Sequence, residues 1–333
     1  MNAGEFEKRY AALRHMVDDR TSALARRGKP ADLNDGCRYV LSAGGKRIRA
    51  VLLLLSCEAV GGSIRQALDA GVAVETMHNF TLVHDDIMDN ASSRRGRPTV
   101  HVRWDSSTAL LVGDSLMGLA YFSLLRAARR AQAPLVQLLT EGLVEVCEGQ
   151  ALDLEFEGRS DVTVREYFAM IEKKTGRLIS VATEMGGMIG GGTRRQTEAL
   201  REFGKYLGRA FQLQDDVLDV VADQSRFGKP IGGDIIAGKK TFLLLKSAER
   251  VRGKDRALIA RVLGRQRVRP ASGRARMIAD VTAVYHRYGI IEETQRQIRR
   301  NTALALHALE ALPGNRATGM LGWLAEALVH RHS

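Results

Sequence analysis

The sequence predicts an all-α protein, and three observations carry that expectation. Leu and Ala recur at spacings of three and four along the chain, which is the period of one helical face. Aromatic residues make up only 5% of the 333 positions and there are six prolines, a balance that favours helices. Apolar residues supply 45%, ample for a core, and the length suits one large domain or two ordinary ones.

Composition also narrows the function classes. No run approaches the roughly 18 apolar residues that a membrane span requires, and the start Met-Asn-Ala-Gly-Glu-Phe-Glu-Lys lacks a secretory pattern. Cys37, Cys57 and Cys147 are odd in number and contain no Cys-x-x-Cys, so they read as reduced thiols in a cytoplasmic protein. The formal charge of +12 invites a nucleic-acid reading. From Arg250 to the C-terminus, however, 16 Lys/Arg stand against 6 Asp/Glu, so this tail carries +10 of the excess. Its densest part, Arg250 to Arg276, lacks the interleaved aromatics of a stacking platform. A solvated basic face is the expectation there, with weak attraction to anionic membranes as the lesser alternative and no nucleic-acid partner.

Taken in order, residues 1–30 are predicted to form one amphipathic helix through Phe6, Tyr10, Leu13, Met16, Val17 and Leu24, ended by Gly28 and Pro30. Gly44-Gly45-Lys46-Arg47-Ile48-Arg49 then opens an apolar helix from Ala50. Backbone amides at such a start favour anions, and Lys46 and Arg49, at i and i+3, would point the same way to grip a diphosphate. A helix from about Ile64 to Asp89 follows, then a loop by its Ser, Gly and Pro content, Asn90 to Pro98, carrying Arg94, Arg95 and Arg97. Helices are expected at about 105–130 and 133–157, and from Val164 through Lys173-Lys174-Thr175-Gly176 to Met188. A glycine break at Gly190 to Gly192 precedes a helix at 196–222. Phe227 to Thr241, with Lys229, Lys239 and Lys240, reads as a loop able to close over a phosphate. Helices fill the remainder, the last near 317–331.

Two of these helices hold the chemistry. Phe80-Thr81-Leu82-Val83-His84-Asp85-Asp86-Ile87-Met88-Asp89 is echoed about 130 residues later by Phe211-Gln212-Leu213-Gln214-Asp215-Asp216-Val217-Leu218-Asp219. Each places Asp-Asp-x-x-Asp at the end of an apolar run, with first and last acids one helical turn apart on a shared face. A lone motif of this kind is usually a solvated acidic face. Two copies in apolar surroundings make unneutralised acids costly, so a cation is expected between them. Hard carboxylate oxygens suit Mg²⁺, which takes one or two carboxylates and completes its shell with water and substrate phosphate. Two facing helices building a magnesium–phosphate site are the expectation. His78 lies two turns before Asp85 on the same face; a single helical His is usually core, and its alignment makes ligand contact an equal alternative.

Gly-Gly-Lys-Arg-x-Arg, His before Asp-Asp-x-x-Asp, Arg-Arg-Gly-x-Pro-Thr, Gly-Gln-x-x-Asp, Lys-Thr-Gly, Phe-Gln-x-x-Asp-Asp-x-x-Asp and Gly-Lys…Gly-Asp…Gly-Lys-Lys-Thr occur in that order. On these seven blocks the chain resembles the trans-isoprenyl diphosphate synthases, the polyprenyl synthetase family, most like short-chain geranylgeranyl or farnesyl diphosphate synthases. The resemblance implies one domain over 1–333, its motif-bearing core at about 35–245 and a basic helical part from about 250. It implies the all-α isoprenoid synthase fold, a helical bundle around a deep central cavity, as a homodimer. Asp85, Asp86, Asp89, Asp215, Asp216 and Asp219 would hold Mg²⁺, three ions per site, on an allylic diphosphate. Arg94, Lys174, Thr175, Gln212, Lys229 and Lys239 would contact that diphosphate, with Arg94 and Lys174 counted among the catalytic groups. Lys46, Arg49, His78 and Arg95 would hold isopentenyl diphosphate. Metal and cations would draw electrons from the allylic diphosphate until its C–O bond breaks, and the isopentenyl double bond would attack the cation so formed.

Chain length is expected to be set by Phe80 and Thr81, five and four residues before Asp85. Helix geometry alone favours Thr81 as the floor, and the family pattern weighs both. A bulky Phe80 and an uninserted motif resemble archaeal-type geranylgeranyl synthases, which implies a C20 product with C15 as the alternative. Phe80 as simple core packing is the plain reading beside it. The chain departs from the family at Thr241-Phe242, where many members have a proline, and in its basic tail. The rivals are a class I terpene cyclase, a head-to-head condensing enzyme, an inactive subunit of a heteromeric synthase and a helical nucleic-acid binder. The first two lack need of the cation set Lys46, Arg49 and Arg95, and inactive subunits typically lose acids that this chain keeps.

Overall fold

A computed structural model describes residues 3–24, 30–127, 132–221, 232–264 and 271–329. In order they form α1 (Ala3–Ser22), α2 (Ala31–Leu41), α3 (Ile48–Ala59), α4 (Ile64–Met88), strands β1 (Ser93–Arg94) and β2 (Arg97–Pro98), α5 (Val100–Arg103), α6 (Ser106–Leu124) and α7 (Gln132–Glu157). Next come α8 (Val164–Ile171), a π-helical turn (Glu172–Gly176), α9 (Arg177–Ile189), α10 (Arg194–Val221), α11 (Gly233–Ala237), α12 (Phe242–Arg250), α13 (Gly253–Leu263) and α14 (Ala271–Arg287). The chain then runs through α15 (Ile290–Ala308), a 3-10 turn (Leu309–Ala311) and α16 (Arg316–Val329).

The all-α expectation holds, and the differences have local causes. Residues 31–41 form a helix that periodicity did not announce, because Asn34, Asp35 and Gly36 are poor helix formers; Gly36, Cys37 and Leu41 are buried and packing overrides propensity. The segment after the first acidic motif is a minimal hairpin pairing Ser93 with Pro98 and Arg94 with Arg97. Arg95 and Gly96 turn it with φ of 52° and 72°, the left-handed pair that suits a two-residue hairpin. Among the described residues one helix, α6, is long and apolar enough to cross a membrane by length and composition, with a mean hydropathy of 1.3. The sequence reading expected none; α6 carries a single charged residue, Asp114, among apolar and small ones.

The chain divides into two compact units. The first comprises 1–142, 178–204 and 308–323, and its centre is α3, where every residue from Ala50 to Leu55 is fully buried. A helix apolar all round needs neighbours on every side, and α1 and α4 pack against it while α6 packs along α4 and α2. The second comprises 143–177, 205–307 and 324–333. Its core joins Phe156, Tyr167, Leu213, Val217, Phe242, Val281 and Tyr285 among others. Its α8 starts from a capping box, in which the Thr163 hydroxyl accepts from the Glu166 N–H and the Glu166 carboxylate accepts from the Thr163 N–H. All three cysteines are free thiols, and burial raises the Cys57 thiol to about 11.

Candidate active site

The first unit sets the first acidic motif at the C-terminal end of α4. Asp86 is buried and Asp85 half-buried, while Asp89 is exposed and caps the helix, its N–H donating to the Asp85 carbonyl at 2.8 Å. Burial raises the Asp86 carboxyl above its ordinary range, even though the charge and hydrogen bond of Arg94 oppose that rise. The bond runs from Arg94 Nε to Asp86 Oδ1 at 2.7 Å. The hairpin thus returns Arg94 onto the acidic end of α4.

Beside it gathers a pocket of cations. Arg95 Nη1 donates to the Gly44 carbonyl at 2.6 Å and lies 3.4 Å from Asn79 Oδ1. Gly45, at φ 137°, leaves a Cβ no easy place, since one there would stand 3.2 Å from the Arg95 guanidinium carbon. Gly45 therefore leaves room for an arginine. Arg47 takes the left-handed region and α3 begins at Ile48, so Lys46 lies outside the helix and is exposed while Arg49 is half-buried in the first turn. The i, i+3 argument for Lys46 and Arg49 does not apply; a turn places them. Burial, then the charges of Arg49, Arg95, Arg94 and Arg47, push the half-buried His78 well below its ordinary pKa, so its imidazole is neutral. Phe80 is buried and meets the His84 ring edge-on at 4.8 Å. Thr81 is half-buried, its hydroxyl donating to the His78 carbonyl at 2.9 Å.

The second unit builds a cleft of about 150 Å³ lined by Asp153, Tyr167, Lys174, Thr175, Gln212, Asp216, Asp234 and Lys239. The second motif lies on α10. Asp216 accepts from the Tyr167 hydroxyl at 2.7 Å and from Gln212 Nε2 at 2.9 Å, and Thr175 donates to Gln212 Oε1 at 2.9 Å. Lys174 Nζ donates to Asp153 Oδ2 at 2.5 Å. The Asp234 N–H donates to Asp219 Oδ2 at 3.0 Å, and Lys239 Nζ lies 3.7 Å from the Asp234 carboxylate. Lys240 is buried and donates to the carbonyls of Leu263 and Gly238 at 2.9 and 3.2 Å. Lys229, and residues 227–231 of the expected closing loop, lie outside the described residues.

Lys174 and Thr175 owe their placement to the π turn. Gly149 of α7 backs so closely onto it that an added Cβ would lie 2.3 Å from the Lys174 nitrogen, and Gly208 of α10 meets the Gly176 backbone at 2.4 Å by the same measure. Sequence reasoning missed Tyr167, Asp153 and Asp234 as parts of the site. Tyr167 carries no spacing signal, because the π turn between it and Lys174 breaks the helical register, whereas Asp234 is the sole acid of the Gly232–Thr241 stretch. It also missed Asn79 and Glu75, which no spacing distinguishes from core polar residues.

The donor set fits a divalent cation. Burial, followed by the charge of Asp234, raises Asp216 to about 7 and Asp219 to about 6. Such crowding is the signature of carboxylates lacking a neutralising partner. Among the described residues no three acids or histidines close into a ready-made cage. Magnesium needs none, because phosphate and water complete its shell.

Comparison with known proteins agrees with this geometry. The polyprenyl synthetase family model matches residues 30–278. A short chain isoprenyl diphosphate synthase of Methanothermobacter thermautotrophicus is 38% identical over 317 residues, 95% of both chains. A geranylgeranyl diphosphate synthase of Methanosarcina mazei is 43% identical over 224 residues, 67% of this chain and 69% of that one. The crystal structure of geranylgeranyl pyrophosphate synthetase from Pyrococcus horikoshii superposes with a TM-score of 0.91 at 36% identity, covering 98% of this chain and 99% of that chain. With the fold, the acidic helices and the matched stretch in agreement, the chain belongs to the polyprenyl synthetase family and has the all-α isoprenoid synthase fold.

Proposed function

We propose that the protein joins isopentenyl diphosphate head-to-tail to an allylic diphosphate and releases geranylgeranyl diphosphate, the C20 product. The observation that carries this reading is that each acidic motif stands among cations suited to a diphosphate. In the first unit Arg94 donates to Asp86, and Arg49, Arg95 and Arg94 all act on His78. In the second unit Lys174 and Lys239 line the cleft that holds Asp216.

In this reading Asp85, Asp86 and Asp89 of the first unit and Asp215, Asp216 and Asp219 of the second would hold Mg²⁺, three ions in all, which would supply charge stabilisation to a departing diphosphate. The chain's own groups do the rest. Tyr167 and Gln212 fix both oxygens of Asp216, and Thr175 fixes Gln212. Arg94, Lys174 and Lys239 turn from their carboxylate partners to the allylic diphosphate, and Lys229 belongs with them. Neutral His78 offers one N–H to the isopentenyl diphosphate without adding repulsion to its arginine neighbours. The electron pair of the breaking C–O bond leaves with pyrophosphate, the isopentenyl double bond forms the new C–C bond, and pyrophosphate accepts the proton then lost. Relatives named as geranylgeranyl synthases and the bulky Phe80 before the motif support C20 over C15.

The test is incubation with Mg²⁺, isopentenyl diphosphate and each of the C5, C10 and C15 allylic diphosphates. Pyrophosphate released only with both substrates present, with C20 accumulating, is the expected result. Release from an allylic diphosphate alone would make the protein a cyclase-type enzyme, and a C15 end product would shorten the assignment.

A further inference from the structure

The sequence presents Lys46, Arg47 and Arg49 as neighbouring cations, and the structure sets the middle one apart. The Arg47 side chain is 1% exposed, and its guanidinium is directed wholly inward. Nε donates to Asp18 Oδ1 of α1 at 2.7 Å, Nη2 donates to the Leu41 carbonyl at 2.9 Å, and Nη1 reaches Glu75 Oε1 of α4 at 3.4 Å. Its backbone, at φ 49° and ψ 33°, lies in a region that residues other than glycine rarely occupy unless their surroundings hold them there.

We infer that Arg47 is a positioning residue for the isopentenyl diphosphate pocket. Its clamp on Asp18, Leu41 and Glu75 holds the left-handed turn that sets Lys46 before α3 and Arg49 in its first turn. The inference rests on the reading of that pocket given above. Glu75 supplies the second argument. It stands three residues before His78 on the same helix, and its charge acts on Arg95 as well as Arg47. Its Oε2 is buried without a hydrogen-bond partner among the described residues. One buried carboxylate therefore ties the turn bearing Lys46 to the helix bearing His78 and faces the arginine of the hairpin. A planar fork of five donors can serve three acceptors on three elements, and a lysine at this position cannot.

Three variants test this: Arg47→Lys, Arg47→Met and the double variant Arg47→Met, Glu75→Gln, in which no buried charge is left unpaired. The KM for isopentenyl diphosphate should rise at least tenfold in each, with the KM for the allylic substrate changing less than threefold. Calorimetric titration of isopentenyl diphosphate without an allylic substrate should show the same tenfold weakening. If Arg47→Met fails to fold, the other two variants carry the measurement. Folded variants with the isopentenyl KM within threefold of the parent, or with both KM values rising together, would overturn the inference. Should the parent protein fail to condense the two substrates, the proposed function falls, and Arg47 is still judged by the titration.

Discussion

Asp216 carries a carboxyl that burial, then the charge of Asp234, raises to about 7, while Tyr167 and Gln212 each donate to it. A raised carboxyl disfavours the folded state wherever the unfolded chain would be ionised. The penalty is absent below about pH 4, grows as pH rises toward 7, and is complete above that. At full size it is on the order of 4 kcal/mol. Asp216→Asn should therefore raise the Tm of the metal-free protein at pH 8, and the gain should shrink steadily between pH 7 and pH 4. The same change should remove turnover. A Tm gain independent of pH would show that the carboxyl is not the source. Phe80, buried against the edge of His84, yields a second prediction at this scale. Phe80→Ala should lengthen the product by one or more C5 units in a chromatographic profile, at about 3–5 kcal/mol of stability. An unchanged profile in a folded variant would return Phe80 to plain core packing.

At the scale of elements, the helix from α8 to α9 is more than a spacer between motifs. An extra residue in its π turn lifts Lys174 and Thr175 out of regular register and into the cleft lined by Asp216 and Asp234. The turn was not legible in the sequence, since one inserted residue leaves the apolar pattern on either side nearly intact. The acid-bearing helices were legible, because apolar periodicity ran unbroken up to Asp85 and Asp215. The hairpin was missed for the opposite reason: two residue pairs are too short to show alternation. Gly149 tests the turn. A methyl group there would stand 2.3 Å from the Lys174 nitrogen, so the turn must move. Gly149→Ala should lower kcat/KM for the allylic substrate at least tenfold while isopentenyl diphosphate binding by calorimetry stays within threefold. Equal losses for both substrates would mean general loosening instead.

For the whole molecule, seven blocks in a fixed order, rather than any single residue, made the family legible in the chain. Assembly is different in kind. α6 packs Ala109, Val112, Leu116 and Ala120 inward yet leaves Leu111 58% exposed, Leu125 51% and Phe122 39%. Leu111 and Phe122 in α6 and Leu125 just after it form a stripe at helical spacing, interrupted by Asp114, Ser115 and Gly118, with Arg126 over the Phe122 ring at 4.5 Å. We propose a second copy of α6 as the occupant of this face, in the homodimer that the family resemblance implies. Across a two-fold axis each side chain is used twice. Replacing Leu111 and Phe122 together by Glu should then remove on the order of 6 kcal/mol of apolar burial, about four decades in the dimer constant. The prediction is a dimeric parent and a monomeric double variant in sedimentation velocity, with helical circular dichroism retained because both side chains are exposed in the single chain. A parent that sediments as a monomer, or a double variant that remains dimeric, would mean that this stripe is not the interface.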